Sequence, residues 1–282
     1  MARDARRVIN ILVILVIIFL SGLGVLPLLW LLYSTVLNGL PPLIMKGLSF
    51  ITGLPGTPMG TDIGGIAPAL MGTLISSTMA TLMAVALAVF SSMFTREYPY
   101  SLVSGFIETV IRAFNGIPTI IISMFIYSII VVRMGRPSIL AGSLALFIAV
   151  LPTAHYYLSS AFRSVEEKYR EAAFSLGFKR AHVLRYVYLG IARRQVASGI
   201  LMTFIRSVGE TAPLLFTIGF LTNSVFQGID QPGNAVSLLI FNYALSPYSN
   251  YHMVAWGASL LLLLLILIPV LFIEWFVKEV KK

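Results

Sequence analysis

Six stretches of this chain are long, apolar and almost free of charge, and that pattern removes most folds from consideration. They cover residues 8–33, 65–94, 113–132, 138–162, 196–220 and 253–277. Crossing a bilayer's hydrocarbon core takes about 20 mostly apolar residues in a helix. Inside it, every backbone N–H and C=O must find a partner in the protein, which a helix supplies within one segment. The expected fold is all-α, a polytopic membrane protein with six transmembrane helices. Composition agrees: 58% of residues are hydrophobic and only 11% are charged, against about a quarter charged in a soluble globule. Cysteine is absent, which excludes disulfides, thiolate metal sites and cysteine nucleophiles.

Lys and Arg give the orientation, because they concentrate at the cytoplasmic ends of membrane helices. With the N-terminus inside, sixteen of the 20 basic residues fall on one side. They are Arg3, Arg6 and Arg7, then Arg96 and Arg112, eight within residues 163–194, and Lys278, Lys281 and Lys282. Lys46, Arg133 and Arg136 fall on the other side, and Arg206 lies within the fifth span. Both termini are therefore expected in the cytoplasm of a multi-pass plasma-membrane protein. The formal charge of +9 is then an orientation signal, with a contribution from anionic lipid, and requires no nucleic acid. The first apolar run is too long for a cleaved signal peptide and lacks a small-x-small cleavage site, so it is expected to be an uncleaved anchor. Trp30, Trp256 and Trp275 fall near expected span ends, where aromatic anchors sit. The outer connections, 34–64 and 223–252, are rich in Gly, Pro, Asn and Ser and are expected to be irregular.

Few side chains are equipped for chemistry. No Gly-x4-Gly-Lys-Ser/Thr loop occurs, so the chain should neither wrap a nucleotide's phosphates nor hydrolyse ATP. The three histidines, His155, His182 and His252, have no metal-ligand spacing. His155 lies in the fourth span, where a hydrogen bond across helices is expected, with a proton or substrate role as the alternative. In the second span Ser76, Ala80, Ala84, Ala88 and Ser92 recur every four residues, a small-residue face for close helix packing. Arg206 and Glu210 stand out in the fifth span. Arg206 is twelve residues past Arg194, roughly 18 Å along a helix, near mid-membrane, where a charge is costly unless it faces protein or water. Glu210, four residues on, is expected on the same helix face. Arg before Glu is the weaker order for helix stability, so the pair is expected to serve a translocation path; a packing salt bridge is the alternative. Glu108 and Arg112 form a second pair, expected to be a solvated helix end. Asn115-Gly116-Ile117-Pro118-Thr119 follows it.

The charged segment 163–194 contains Glu171-Ala172-Ala173-Phe174-Ser175-Leu176-Gly177. This resembles the EAA loop of ABC-importer permeases, E-A-A, three residues, then G. Val187-Tyr188-Leu189-Gly190 follows nine residues later, with Gly190 where the family has Pro. Ala172 and Ala173 offer a flat helix surface, Phe174 an anchor, and Gly177 the left-handed residue that ends a helix. The resemblance continues through Arg206-Ser207-Val208-Gly209-Glu210-Thr211-Ala212-Pro213-Leu214-Leu215 and through Gly64-Gly65-Ile66-Ala67-Pro68-Ala69-Leu70-Met71-Gly72-Thr73. In these runs the chain is similar to phosphate-importer permeases, the PstA-type subunit more than its PstC-type partner.

That resemblance implies an ABC-importer permease (MetI-like) fold over residues 60–282, with residues 1–59 adding a tail, a first helix and an outer loop. It implies a PstC-like second permease, an ABC ATPase dimer holding ATP and Mg, an external phosphate-binding protein, and inorganic phosphate as cargo. This chain would hold no cofactor and be no enzyme. Glu171, Ala172, Ala173, Phe174 and Gly177 would couple to the ATPase, and Arg206 and Glu210 would serve the substrate. A permease for molybdate, tungstate or sulfate, a phosphate-sensing membrane subunit and an ion-coupled carrier are the alternatives.

Overall fold

In this computed structural model the backbone is described for residues 2–279, and side-chain surroundings for residue 6 and residues 9–271. Arg3, Arg7, Trp275, Lys278, Lys281 and Lys282, on which part of the orientation argument rests, lie outside the described side chains. The described chain is helical apart from loops and one antiparallel bridge, Pro55 to Gly64.

Four helices are long and apolar enough to cross a membrane, or five if one bent pair is a single span. That is fewer than the six straight spans expected. Helix α1 is Ala2–Lys46, α3 is Ala67–Glu97, α6 is Ile139–Arg163 and α11 is Ser249–Glu279. Short α2 (Leu48–Thr52) follows α1. The bent pair is α4, Leu102–Gly116, and α5, Thr119–Ile126, which continues through a π-helical stretch Tyr127–Val131 to Val132–Met134. Their axes meet at 99°. Pro118 causes the break: it has no N–H to donate, and it forces Ile117 into extended conformation at φ −83°, ψ 124°.

Two further expectations give way. Residues 34–46 are helical, because α1 runs past Tyr33 despite Pro27, Pro41 and Pro42. An interior proline costs about 3 kcal/mol on its own, and packing on α11 offsets it. A Cβ on Gly39 would lie 2.6 Å from the Leu260 Cβ, and one on Gly257 would meet the Pro42 ring at 3.0 Å, so the two helices touch backbone to ring. Thr35 and Asn38 donate to the Leu31 and Ser34 carbonyls at 2.8 and 2.9 Å. Trp30 is consequently well inside the helix rather than at its end.

The fifth span also departs from expectation. Helix α9 is Arg193–Gly209 and stops there, short of Phe220. Glu210 is extended at ψ 133°, and Ala212–Leu214 forms one 3-10 turn around Pro213. Residues beyond it stay packed in the bundle without a regular helix: Leu214, Ile218, Asn234 and Ala235 are all buried. The outer connection 223–252, expected to be irregular, contains α10, Val236–Ala244, with Val236, Leu238 and Leu239 buried. Ser237 Oγ donates to the freed Glu210 carbonyl at 3.1 Å. Gly72 is needed where this segment crosses α3, since a Cβ there would overlap the Asn234 carbonyl. Its neighbour Thr73 accepts from the Val236 N–H at 2.8 Å.

The small-residue face of α3 packs as expected. Ser76, Ala80, Ala84, Ala88 and Ser92 are completely buried, and Ala84 and Ala88 share a cluster with Val150, Ala154 and Leu158 of α6. His155 is buried on α6 with its Nδ1 2.9 Å from Ser91 Oγ on α3. This is the inter-helix hydrogen bond expected of a buried imidazole.

Candidate functional site

Two regions bear on function: a loop at the basic end of the bundle and a charged pair at the end of α9.

In the loop, α7 is Glu167–Ser175. It ends in a two-bond cap: the Phe178 N–H donates to the Ala173 carbonyl at 3.1 Å and the Gly177 N–H to the Phe174 carbonyl at 2.9 Å. The cap requires Gly177 at φ +80°, a conformation that a β-carbon opposes. Then α8 starts at Arg180–His182, widens into a π-helical stretch Val183–Tyr188 and closes at Leu189–Ile191. Gly190 is helical. A turn at Ala192 leads into α9.

The loop is continuous with the membrane core. Ala173, Val183, Val187 and Tyr188 belong to the same buried cluster as Ala84, Ala88 and Leu158. Two expectations are corrected here. Ala173 is buried rather than part of an exposed flat face, and Phe174 packs inward against that cluster with the Arg170 guanidinium 5.2 Å above its ring. The exposed face of the turn is Glu171, Ala172, Ser175 and Leu176. Leu176, 78% exposed at the cap, is the apolar residue that projects from α7. Its place between the Ala pair and Gly177 was the available signal.

Charges tie α7 to α3. Glu97 is the last residue of α3; its side chain is almost wholly buried (4% exposed) and holds Arg170 by both oxygens: Nε to Oε2 at 3.2 Å and Nη2 to Oε1 at 3.3 Å. Arg180 Nε approaches the same carboxylate at 3.9 Å. Arg170 also pairs with Glu167, which accepts from Arg96 at 3.0 Å. Hydrogen bonding to the Glu97 carboxylate raises the Arg170 pKa further above its already high range, so the forked pair stays charged. Forked guanidinium–carboxylate contacts are directional as well as strong. Removing Glu97 (Glu97→Ala) is expected to cost about 1–3 kcal/mol locally, less than for a fully buried pair because Arg170 keeps some access to water. Hydrogen exchange should then speed up over residues 167–176 while α6 is unchanged. Equal protection in variant and parent would mean that the apolar cluster alone holds the loop.

At the end of α9, Arg206 Nη2 lies 3.1 Å from Glu210 Oε1. The expected pair forms, but Glu210 is the residue past the helix end, not on the helical face. Arg206 is 45% exposed and Glu210 18%, so the guanidinium borders open space while its carboxylate is mostly enclosed. Arg206 is in the last turn, where exposed carbonyls favour a cation and would repel an anion without it. Among the described residues no cluster of His, Asp and Glu could hold a metal ion.

Comparison with known proteins decides the family. The family described as "Binding-protein-dependent transport system inner membrane component" matches residues 84–282. The chain belongs to it. A relative from Methanocaldococcus jannaschii named "Probable phosphate transport system permease protein PstA" is 35% identical over 248 residues, 88% of this chain and 86% of the relative. A Pasteurella multocida protein named "Phosphate transport system permease protein PstA" is 29% identical over 256 residues, 90% and 89% of the two chains. In fold the chain is similar to an inward-facing structure of the MetNI methionine ABC transporter, with a TM-score of 0.59 at 18% identity, covering 77% of this chain and 95% of that one. It is also similar to a structure of an amino acid ABC transporter, with a TM-score of 0.51 at 17% identity. The permease is thus an all-helical membrane component of a binding-protein-dependent ABC system, in which the ATPase and the binding protein are separate chains.

Proposed function

We propose that this permease is the PstA-type subunit of an ATP-driven phosphate importer and forms the translocation path with a PstC-like second permease. The relatives named for phosphate transport, matched over nearly their whole length, carry this reading. Six crossings fit the charge pattern. They are α1, α3, the bent pair α4–α5, α6, α9 continued by residues 210–220, and α11. That count puts both termini and loop 163–194 on the cytoplasmic side, as the Lys and Arg bias requires.

An external binding protein delivers phosphate. Arg206 offers a planar fork of donors to the oxyanion, and Glu210 holds the guanidinium when no anion is present. The pair keeps a mid-membrane cation neutralised at rest. Leu176, Ala172 and Glu171 project towards an ABC ATPase dimer, which holds ATP and Mg. Because Ala173 and Phe174 are packed into the core that includes α3 and α6, a displacement of α7 carries those helices with it.

Vesicles holding the permeases, the ATPase and the binding protein are expected to accumulate labelled phosphate only with ATP inside, with excess sulfate, molybdate or tungstate competing weakly. The isolated chain should hydrolyse no ATP. Hydrolysis by the purified chain, or accumulation driven by an ion gradient without the ATPase, would contradict the coupling scheme. Accumulation of another oxyanion in preference to phosphate would move the permease to that substrate. Assembly without accumulation of any anion would leave a sensing role.

A further inference from the structure

We propose a second oxyanion seat, in the cleft between α4 and α6, built from Arg112 and Arg163 with Glu108 as its resident counter-ion. The proposal rests on the permease reading above. The cleft has a volume of about 400 Å³, and His155, Ser159 and Ser160 also line it. That is room for a tetrahedral anion together with several waters at roughly 30 Å³ each.

The geometry points to the ligand. Arg112 Nη1 lies 3.3 Å from Glu108 Oε2, and Arg163 Nη2 lies 3.7 Å from Glu108 Oε1. One carboxylate is thus faced by two guanidiniums from different helices, hydrogen-bonded to Arg112 and ion-paired with Arg163 on its other oxygen. Two cations against one anion leave a net positive charge, and two guanidiniums around one pair of oxygens is the arrangement that accepts a phosphate. A solvated helix end would need only the pair within α4. Arg163 comes from the far end of α6 and closes the clamp across the cleft.

Placement gives the seat a role. Arg163 is the last residue of α6, at the basic end of the bundle. His155 is eight residues earlier, roughly 12 Å deeper along the helix, and Ser91 holds its ring in place. The cleft therefore opens at the end that is cytoplasmic on the proposed topology and reaches inward. The arginines are 69% and 66% exposed, so water and salt screen them and binding there is weak. Weak binding suits release. Two arginine sites then lie along the route, Arg206 with Glu210 in mid-membrane and the Arg112–Arg163 clamp with Glu108 at the cytoplasmic mouth, and the anion passes from one to the next by displacing each resident carboxylate.

The test is site-resolved labelling of the assembled wild-type transporter in nanodiscs with phenylglyoxal, which modifies free guanidiniums. Mass spectrometry follows Arg112 and Arg163, with the exposed residues Arg193 and Arg194 at the start of α9 as controls. Millimolar inorganic phosphate is expected to slow labelling of Arg112 and Arg163 several-fold and leave the controls unchanged. Glu108→Gln should lower the half-protecting phosphate concentration a few-fold, because the competing carboxylate is gone. Discs of phosphatidylcholine and of phosphatidylglycerol separate the sources. Protection that needs added phosphate in both lipids assigns the seat to the travelling anion. Protection by phosphatidylglycerol alone assigns it to a lipid headgroup. Labelling of Arg112 and Arg163 that ignores phosphate and lipid alike overturns the seat. Phosphate uptake by the same preparation keeps the two claims apart: uptake without protection sinks only the seat, and protection without uptake sinks only the permease reading.

Discussion

Gly177→Val is expected to abolish most phosphate uptake while the chain still inserts and assembles. Gly177 sits at φ +80°, where an L-residue costs about 1–2 kcal/mol and a β-branched one more. An ideal Cβ there meets nothing within 4 Å, so the cost is conformational and no core contact is broken. The chain relieves it by leaving the left-handed region. That breaks the bonds from Phe178 to Ala173 and from Gly177 to Phe174 that end α7, and it swings Leu176 out of place. Gly177→Ala keeps the strain but adds less bulk and no β-branch, so it should lose less. The measurement is uptake per assembled complex, alongside ATP hydrolysis. Hydrolysis that continues while uptake falls marks uncoupling. Normal uptake at normal abundance would show that this turn does not couple the chain to the ATPase.

Arg206→Gln is the second change with a large expected effect. It removes the charge beside the open space at the end of α9 and leaves the carbonyl end of the helix facing the anion. Uptake should fall to background although the complex forms. Arg206→Lys keeps a charge but replaces the fork with a point donor, so partial uptake should remain. A lysine variant as inactive as the glutamine variant would show that fork geometry, not charge, is what the anion requires.

Much of this fold is legible in the amino-acid sequence, and the failures share a cause. Apolar length located α3, α6 and α11, because a bilayer span depends on the segment itself. The four-residue recurrence from Ser76 to Ser92 located the packing face of α3 for the same reason. Gly177 was found from the residue type that a left-handed cap demands. The misses depend on partners distant in sequence. Helix α1 continues past Tyr33 because Gly39 and Pro42 pack on α11. Pro118 was visible as a breaker, but a bend of 99° follows from how α4 and α5 each pack on α6. Helix α9 ends at Gly209 because residues 210–235 stay packed in the bundle against Gly72 and Thr73. Phe174 turns inward because Arg170, anchored by Glu97, covers its ring, and nothing near position 174 announces Glu97. At the candidate site, the Arg206–Glu210 pair was legible from its spacing. The clamp on Glu108 was not, since Arg163 reaches it across the cleft.

Uptake by the double variant Arg206→Gln with Glu210→Gln tests the central claim most directly. If Arg206 serves only to neutralise Glu210, the single change leaves an enclosed acid unpaired, and removing both charges restores packing. The pathway role instead predicts a double variant that assembles as wild type and transports nothing. Labelled phosphate accumulated in reconstituted vesicles, normalised to assembled complex, decides between them. Background uptake in the double variant is the expected result, and near-normal uptake would contradict a role for Arg206 in carrying the anion.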